Sequence, residues 1–263
     1  MFVNEEFPII IFAFEFVLQI FILTFLFSIY KKVLIPQFLD NFSNSKNENC
    51  DFIIKKYLFK RKIEDIKIIK DNNANFYNSF SAKNNTLEIN RLEVFENSSF
   101  YINGIVLDYC ISRGFLVDLS IKKPNTMLYF KLLLYVLPII FNITFYFFFI
   151  LQMILYSVAK IDYNLILDIW FLFLLYKFNI LSLISSSFFI LWIFIIFINP
   201  KIKEKLEDLY ELNVTNYVSS NYPLLYNEWI IARRFSRSNK YTYTTGFGFL
   251  FKKNYVYTGI LGV

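Results

Sequence analysis

The chain has 263 residues, 56% of them hydrophobic and 21% aromatic, with 27 Lys and Arg against 21 Asp and Glu and no histidine. A mean hydropathy of +0.44, with 34 Phe and only six Gly, excludes an ordinary water-soluble domain and indicates a bilayer as solvent. Without imidazole, a histidine base, a His-ligated zinc and a His-ligated haem are excluded too, so any chemistry must rest on carboxylates, thiols or lysines.

The first apolar block runs from about Phe7 to Tyr30, interrupted by Glu15 and Gln19, and meets Lys31-Lys32. It exceeds the h-region of a cleavable signal and has no basic stretch before it, so residues 1–30 read as a transmembrane anchor. Residues 31–126 form a polar domain. Within it Asn41–Asn49 reads as a loop, Cys50–Tyr57 as a short helix, Ile63–Asp71 as a strand, Asn75–Ser81 as a turn and Thr86–Ile89 as a strand with alternating faces. A helix is expected over Phe100–Arg113, with Asn97 or Ser98 as N-cap and Gly114 as its C′ residue.

Two longer apolar blocks follow: Met127–Ala159, with Lys131 near its start and Pro138 inside, and Leu165–Asn199, with Asp168 early and Lys177 midway. Residues 127–200 thus supply two more transmembrane helices. Both blocks exceed the about 20 residues a span needs, so they must tilt, kink or protrude; Pro138 is the expected kink. Splitting the last block at Lys177 would leave two segments too short to cross comfortably. Residues 201–263 form the tail: a charged amphipathic helix over Lys201–Leu212, a basic aromatic stretch over Asn227–Arg237, and two strand-like runs, Tyr241–Phe251 and Tyr255–Val263, arranged as a hairpin. The tail is expected to gain order by docking on a partner or on lipid headgroups. The chain therefore reads as a mainly α membrane protein: three transmembrane helices, a small mixed α/β polar domain and an extended aromatic, basic C-terminal tail.

Residues 31–126 hold 15 Lys and Arg against 11 Asp and Glu, and residues 200–263 hold nine against five. With three spans both regions share one face, which the positive-inside rule assigns to the matrix or cytoplasm. Of the charges at membrane depth, Lys131 and Asp168 lie near helix ends and can snorkel, while Glu15 and Lys177 are expected to pair with neighbours in a larger assembly. No run of carboxylates at helical spacing marks a proton relay. Cys50 and Cys110 form no CxxC pair, so neither a disulfide framework nor a zinc knuckle is suggested; each reads as a small core residue lacking a base to activate it.

The order of parts resembles the YugP-type neutral zinc metallopeptidases. The resemblance is carried by Thr86-Leu87-Glu88-Ile89, Glu93-Val94-Phe95, Asn97-Ser98-Ser99 and Val136-Leu137-Pro138, and covers roughly residues 8–210. It implies a helix bearing HExxH, in which two imidazoles at i and i+4 grip zinc and the glutamate activates water. At that spacing this chain has Asp108, Tyr109 and Ser112. Both imidazoles and the base are lost, and Cys110 points about 200° around the helix from Asp108. The third ligand that the resemblance implies is an acid after the last shared span; Glu204 and Glu207 are the nearest, while the best register falls on Ile202.

No catalytic residue, metal or cofactor is therefore assigned, and Asp108, Tyr109 and Ser112 are degenerate motif positions. The excess of Phe, Ile, Lys, Asn and Tyr over Ala, Gly and Pro is what an AT-rich genome encodes and reads as an organelle or a reduced bacterium, with a ciliate-like mitochondrion the expected source. The expected role is a non-catalytic structural or accessory subunit of a mitochondrial inner-membrane complex, respiratory chain or ATP synthase, with the polar domain and tail in the matrix; a bacterial plasma membrane is the alternative site. Expected partners are other membrane subunits and lipids, not nucleic acid, with mitoribosome contact a minor alternative. The competing functions are an active membrane metalloprotease with a non-histidine metal site and a redox subunit using Glu15, Asp168 or Lys177.

Overall fold

A long apolar run relieved only by Glu15 and Gln19 forms one uninterrupted helix, α1 (Glu6–Ile29). The computed structural model describes residues 6–29, 33–34, 50–70, 80–89, 104–238, 240, 256–257 and 259–260. The expected loop 41–49, the 93–95 and 97–99 strings and the strand-like run 241–251 lie outside these residues. In chain order there follow β1 (Val33–Leu34), α2 (Cys50–Lys60), β2 (Lys67–Lys70), β3 (Phe80–Ser81), β4 (Thr86–Ile89), α3 (Gly104–Lys122), α4 (Pro124–Lys131), a π turn (Leu132–Val136), α5 (Leu137–Ile161), α6 (Tyr163–Asp168), α7 (Trp170–Lys177), α8 (Ile180–Asn221), a 3-10 turn (Pro223–Leu225), α9 (Tyr226–Ser238) and β5 (Val256–Tyr257). Three helical stretches are long and apolar enough to cross a membrane: Glu6–Leu26, Pro124–Ile161 and Ile180–Asn221.

The chain divides into two units. One holds α1, α5, α6, α7 and α8 as far as Ile198; the other holds the rest of the described elements, including α8 from Asn199. In the apolar unit large side chains such as Ile10, Phe14, Phe21 and Phe194 face outward. Polar groups are turned inward, where they find partners that lipid would not provide. Gln19 Nε2 donates to Asn142 Oδ1, and the Tyr146 hydroxyl donates to Gln19 Oε1. The Ser185 hydroxyl donates to the Phe145 carbonyl at 2.8 Å, and Phe12 stacks on Phe145 and Phe149. Glu15, expected to need a partner from another subunit, is buried and hydrogen-bonded by Ser186 of its own chain.

Pro138, the expected kink, stands in the first turn of α5, immediately after the π turn Leu132–Val136. The wider turn re-routes the ladder around the missing proline N–H. The last apolar block departs from expectation, because it is not one helix. It breaks at Ile169 and again at Phe178-Asn179, just past Lys177, into α6, α7 and α8. Asp162 caps α6 by accepting from the Asn164 and Leu165 amides. Asn179 takes the left-handed conformation, φ 50°, which asparagine tolerates, and its Oδ1 accepts from the Tyr156 hydroxyl at 2.7 Å. The short helices fold back so that Ile166 and Tyr176 pack against Leu155, Tyr156 and Ala159 of α5. Gln152 Oε1 accepts the Ser182 amide at 3.3 Å, serving one of the unpaired donors in the first turn of α8.

In the polar unit, β4 is the middle strand, parallel to β2 (Lys67 opposite Thr86) and antiparallel to β3 (Phe80 opposite Leu87). Alternation turns Leu87 and Ile89 inward. Phe80–Ser81, expected in a turn, is therefore a strand, and residues 82–85 make the turn. The β5 strand pairs antiparallel with Val33–Leu34 at the start of the unit; the other strand of the expected hairpin, Tyr241–Phe251, lies outside the described residues.

The centre of this unit is α3. Every residue from Gly104 to Leu119 is buried, which marks a helix covered on all sides. Gly114 does not end it. The helix runs on to Lys122, and Gly114 is where the Tyr57 ring of α2 approaches: an added Cβ would lie 2.8 Å from Tyr57 Cδ1. At the other end, a Cβ on Gly104 would fall 2.3 Å from the Glu228 backbone, so α9 crosses α3 there at close range.

Candidate functional site

A helix covered on all sides cannot leave charges unpaired, because an uncompensated buried ion is far too unfavourable. The α3 helix carries three buried charges, and each has a partner. Asp118, towards its C-terminal end, pairs with Lys122 at 2.6 Å and Arg61 at 3.4 Å. Arg113 donates through Nη2 to the Ile260 carbonyl at 3.1 Å and lies over the Tyr109 ring. Asp108 meets the second half of α8 and α9, and there the site is built.

Its supporting helices explain why. Beyond Asn199, the inward stripe of α8 is Ile202, Lys203, Leu206, Glu207, Tyr210, Val214 and Val218, at three- and four-residue spacing. Lys203 and Glu207 stand in it among apolar neighbours. The inward stripe of α9 is Trp229, Ala232, Arg233 and Ser236, with one charge among small and aromatic residues. The two stripes and α3 thus enclose two carboxylates, Asp108 and Glu207, and two cations, Arg233 and Lys203, all at most 3% exposed. Their formal charges cancel when Lys203 is protonated; burial, with Arg233 nearby, pulls its amine down to about 7.

The geometry uses every carboxylate oxygen. Asp108 Oδ1 accepts from the Tyr210 hydroxyl at 2.8 Å and Oδ2 from Arg233 Nη1 at 3.2 Å. Glu207 Oε2 accepts from Arg233 Nη2, and Oε1 from the Ser236 hydroxyl at 2.7 Å. Lys203 Nζ donates to the Ser236 carbonyl at 2.8 Å and lies 3.7 Å from Glu207 Oε1. The Arg233 guanidinium lies 4.5 Å from the centre of the Tyr210 ring, a cation–π arrangement. Towards solvent, Glu211 and Asp208 bind Arg237 and hold the pKa of its guanidinium above its ordinary value, chiefly through the bonds it donates to Glu211. Gly259, at φ +94°, closes over this end: a Cβ there would meet Ser236 Oγ at 1.9 Å.

The expected motif positions behave unequally. Asp108 joins the cluster. Tyr109 is buried beside Arg113, and Ser112 donates to the Tyr109 carbonyl at 2.7 Å without touching the cluster. Of the two acids considered for a third position, Glu207 faces Asp108's partner, whereas Glu204 is exposed and Ile202 is buried. Among the described residues no group of three or more His, Cys, Asp or Glu side chains could hold a metal ion. Glu15, Asp168 and Lys177 do not converge either: Glu15 meets Ser186, Asp168 is exposed at the end of α6, and Lys177 lies over the Phe173 and Phe178 rings.

Three corrections follow. Asn227–Arg237, expected in a tail awaiting a partner, is the α9 helix and supplies the cluster's central cation. Arg233, Lys203, Ser236 and Tyr210 were not singled out as site residues; the visible signal was a charge inside an apolar helical stripe. Cys50 and Cys110 are not separate core thiols but are joined in a disulfide. Comparison with family models, with curated proteins and with solved structures finds no match.

Proposed function

We propose that this chain is a non-catalytic membrane subunit, structural or accessory, of a larger assembly in the mitochondrial inner membrane, of the respiratory-chain or ATP-synthase kind. Its polar unit is read as a zinc-peptidase scaffold that has given up its metal. The observation that carries the reading is the occupation of all four Asp108 and Glu207 oxygens by Arg233, Tyr210 and Ser236. A guanidinium is permanently charged and planar, and it binds two carboxylates without activating water. Each of the four oxygens accepts a bond from a side chain of this unit, and these bonds tie α3, α8 and α9 together as an electrostatic bolt. Composition supports the organelle, and three apolar helices support the membrane.

The test is purification in mild detergent with metal analysis. Other subunits are expected to co-purify in fixed ratio, without bound metal. A stable monomer with no companions would break the subunit reading. Stoichiometric zinc that disappears in Asp108→Ala would break the non-catalytic reading and favour a divergent metalloprotease.

A further inference from the structure

Cys50 opens α2 and Cys110 lies in the middle of α3, on the face away from Asp108. Their Cα atoms are 5.7 Å apart, 60 residues apart in sequence, and the sulfurs are joined; that separation is the commonest one for disulfides. The bond lies inside the α2–α3 contact, with Cys50 1% and Cys110 0% exposed, among the buried residues Ile53, Ile54 and Ile111.

Such a bond has two possible uses, and burial decides between them. A redox sensor needs a solvent-accessible thiolate, often beside a resolving cysteine. Here both sulfurs are enclosed, and the sequence holds only these two cysteines. A bond of this kind is structural, and structural disulfides form and persist in oxidising compartments. The other common use of paired cysteines in a reducing compartment is a metal site, and no metal-holding group exists among the described residues.

We infer that the polar unit is carried to the oxidising side of its membrane, where a thiol–disulfide oxidoreductase installs the Cys50–Cys110 bond. In that step one cysteine thiolate attacks a sulfur of the oxidase disulfide, forming a mixed disulfide and releasing the oxidase's other thiolate. The second cysteine thiolate then attacks the mixed disulfide at the chain's own sulfur. The Cys50–Cys110 bond forms, the bond to the oxidase breaks, and the oxidase leaves as a dithiol carrying two electrons; the chain has lost two thiol protons. Because the folded unit encloses both sulfurs, the exchange precedes closure of α2 on α3.

This orientation reverses the one drawn from charge counting. The positive-inside rule acts over loops of up to roughly 60 residues and within about 15–20 residues of a span, whereas long domains cross largely regardless of charge. The polar domain spans residues 31–126, and its 15 basic residues are mixed with 11 acidic ones. Lys31 and Lys32 beside the first span and Lys201, Lys203 and Lys205 after the last favour the opposite side; the buried disulfide outweighs them here because it forms and persists in an oxidising compartment.

The experiment uses the full chain in native membranes. Denaturation into a PEG-maleimide is expected to add no mass without reductant and two adducts after reduction. Two adducts without reductant would overturn the inference. A second variant, Lys55→Cys, places one free thiol on the exposed face of α2. In sealed membranes an impermeant maleimide is expected to label K55C from the oxidising face; labelling only from the opposite face would overturn the inference even if the bond were present. Subunit composition and metal content are read separately, so failure here leaves the non-catalytic reading standing.

Discussion

In the apolar unit Gln19, Asn142 and Ser185 are buried while Phe14, Phe21 and Phe194 face outward; in the polar unit Ile53, Leu87 and Ile111 are buried while Lys55, Lys60 and Lys62 face outward. The first pattern suits a lipid surround and the second an aqueous one. Their interiors differ as well. The contacts joining α1 to α5 use amide and phenol groups and stacked rings, with Glu15 held by a serine. The polar unit instead locks its helices with two buried ion pairs' worth of charge and a covalent bond. The difference has a physical basis. Between helices in lipid, apolar packing gains little over contact with acyl chains, so a few modest hydrogen bonds and close ring contacts decide which helices meet. In water, burial of apolar surface supplies the drive. Balanced buried charges then add little net stability, but they forbid arrangements that would separate them.

The largest effect should come from breaking that balance. Arg233→Leu leaves Asp108 buried with no cation and Glu207 with only Lys203 at 3.7 Å, and is expected to cost about 3–5 kcal/mol in denaturant unfolding followed by tryptophan fluorescence. Adding Asp108→Asn and Glu207→Gln to the same chain should recover much of the loss. A cost below about 1 kcal/mol for the single variant would show that the cluster does not hold the unit together.

A smaller effect belongs to alkaline pH. Tyr57 is fully buried between α2 and its neighbours, and burial pushes its phenol up to about 12. The unfolded chain releases that proton near 10, whereas the folded unit keeps it. The contribution is thus fully present below about 10 and is lost as pH rises towards about 12, amounting to roughly 2–3 kcal/mol. Tyr57→Phe, which also removes the acceptor for Arg61 Nε, should flatten this part of the stability–pH curve of the polar unit. An unchanged slope would mean that another group governs it.

The smallest change is expected in the apolar unit. Gln19→Leu removes the bonds to Asn142 and Tyr146 and should cost about 1 kcal/mol, since such bonds between membrane helices average about 0.6 kcal/mol each. Trp170 and Trp192 lie in this unit and Trp229 in the other, so variants keeping only Trp192 or only Trp229 can show whether the loss stays local. A loss of about 3 kcal/mol or more from this one change would place the apolar unit in the same energetic class as the ion cluster and erase the contrast.

Much of the architecture was legible in the residues. The stretch α1, the start of α2, the β4 strand and the polar continuation of α8 follow from apolar length, from period two and from period 3.6. The break after Lys177 was visible only as a charge in an apolar run, because Phe178 and Asn179 carry no strong stop signal. The end of α3 was misplaced for a related reason: Gly114 resembles a helix terminator in isolation, and only the Tyr57 ring beside it explains a glycine inside the helix. At the site, Asp108 and Glu207 stood out as acids, but nothing local tied either to Arg233, which lies 125 residues from Asp108 and 26 from Glu207.

By itself the sequence determined where apolar segments are long enough for a bilayer, which chemistries lack a histidine to run on, and where two polar regions lie between and after those segments. Those properties depend on composition and short-range periodicity. Tertiary structure alone decided that the two polar regions form one unit, that its buried charges neutralise one another, and that its two cysteines bond. Pairing of that kind depends on distances between residues far apart in the chain, and such distances exist only once the helices have packed.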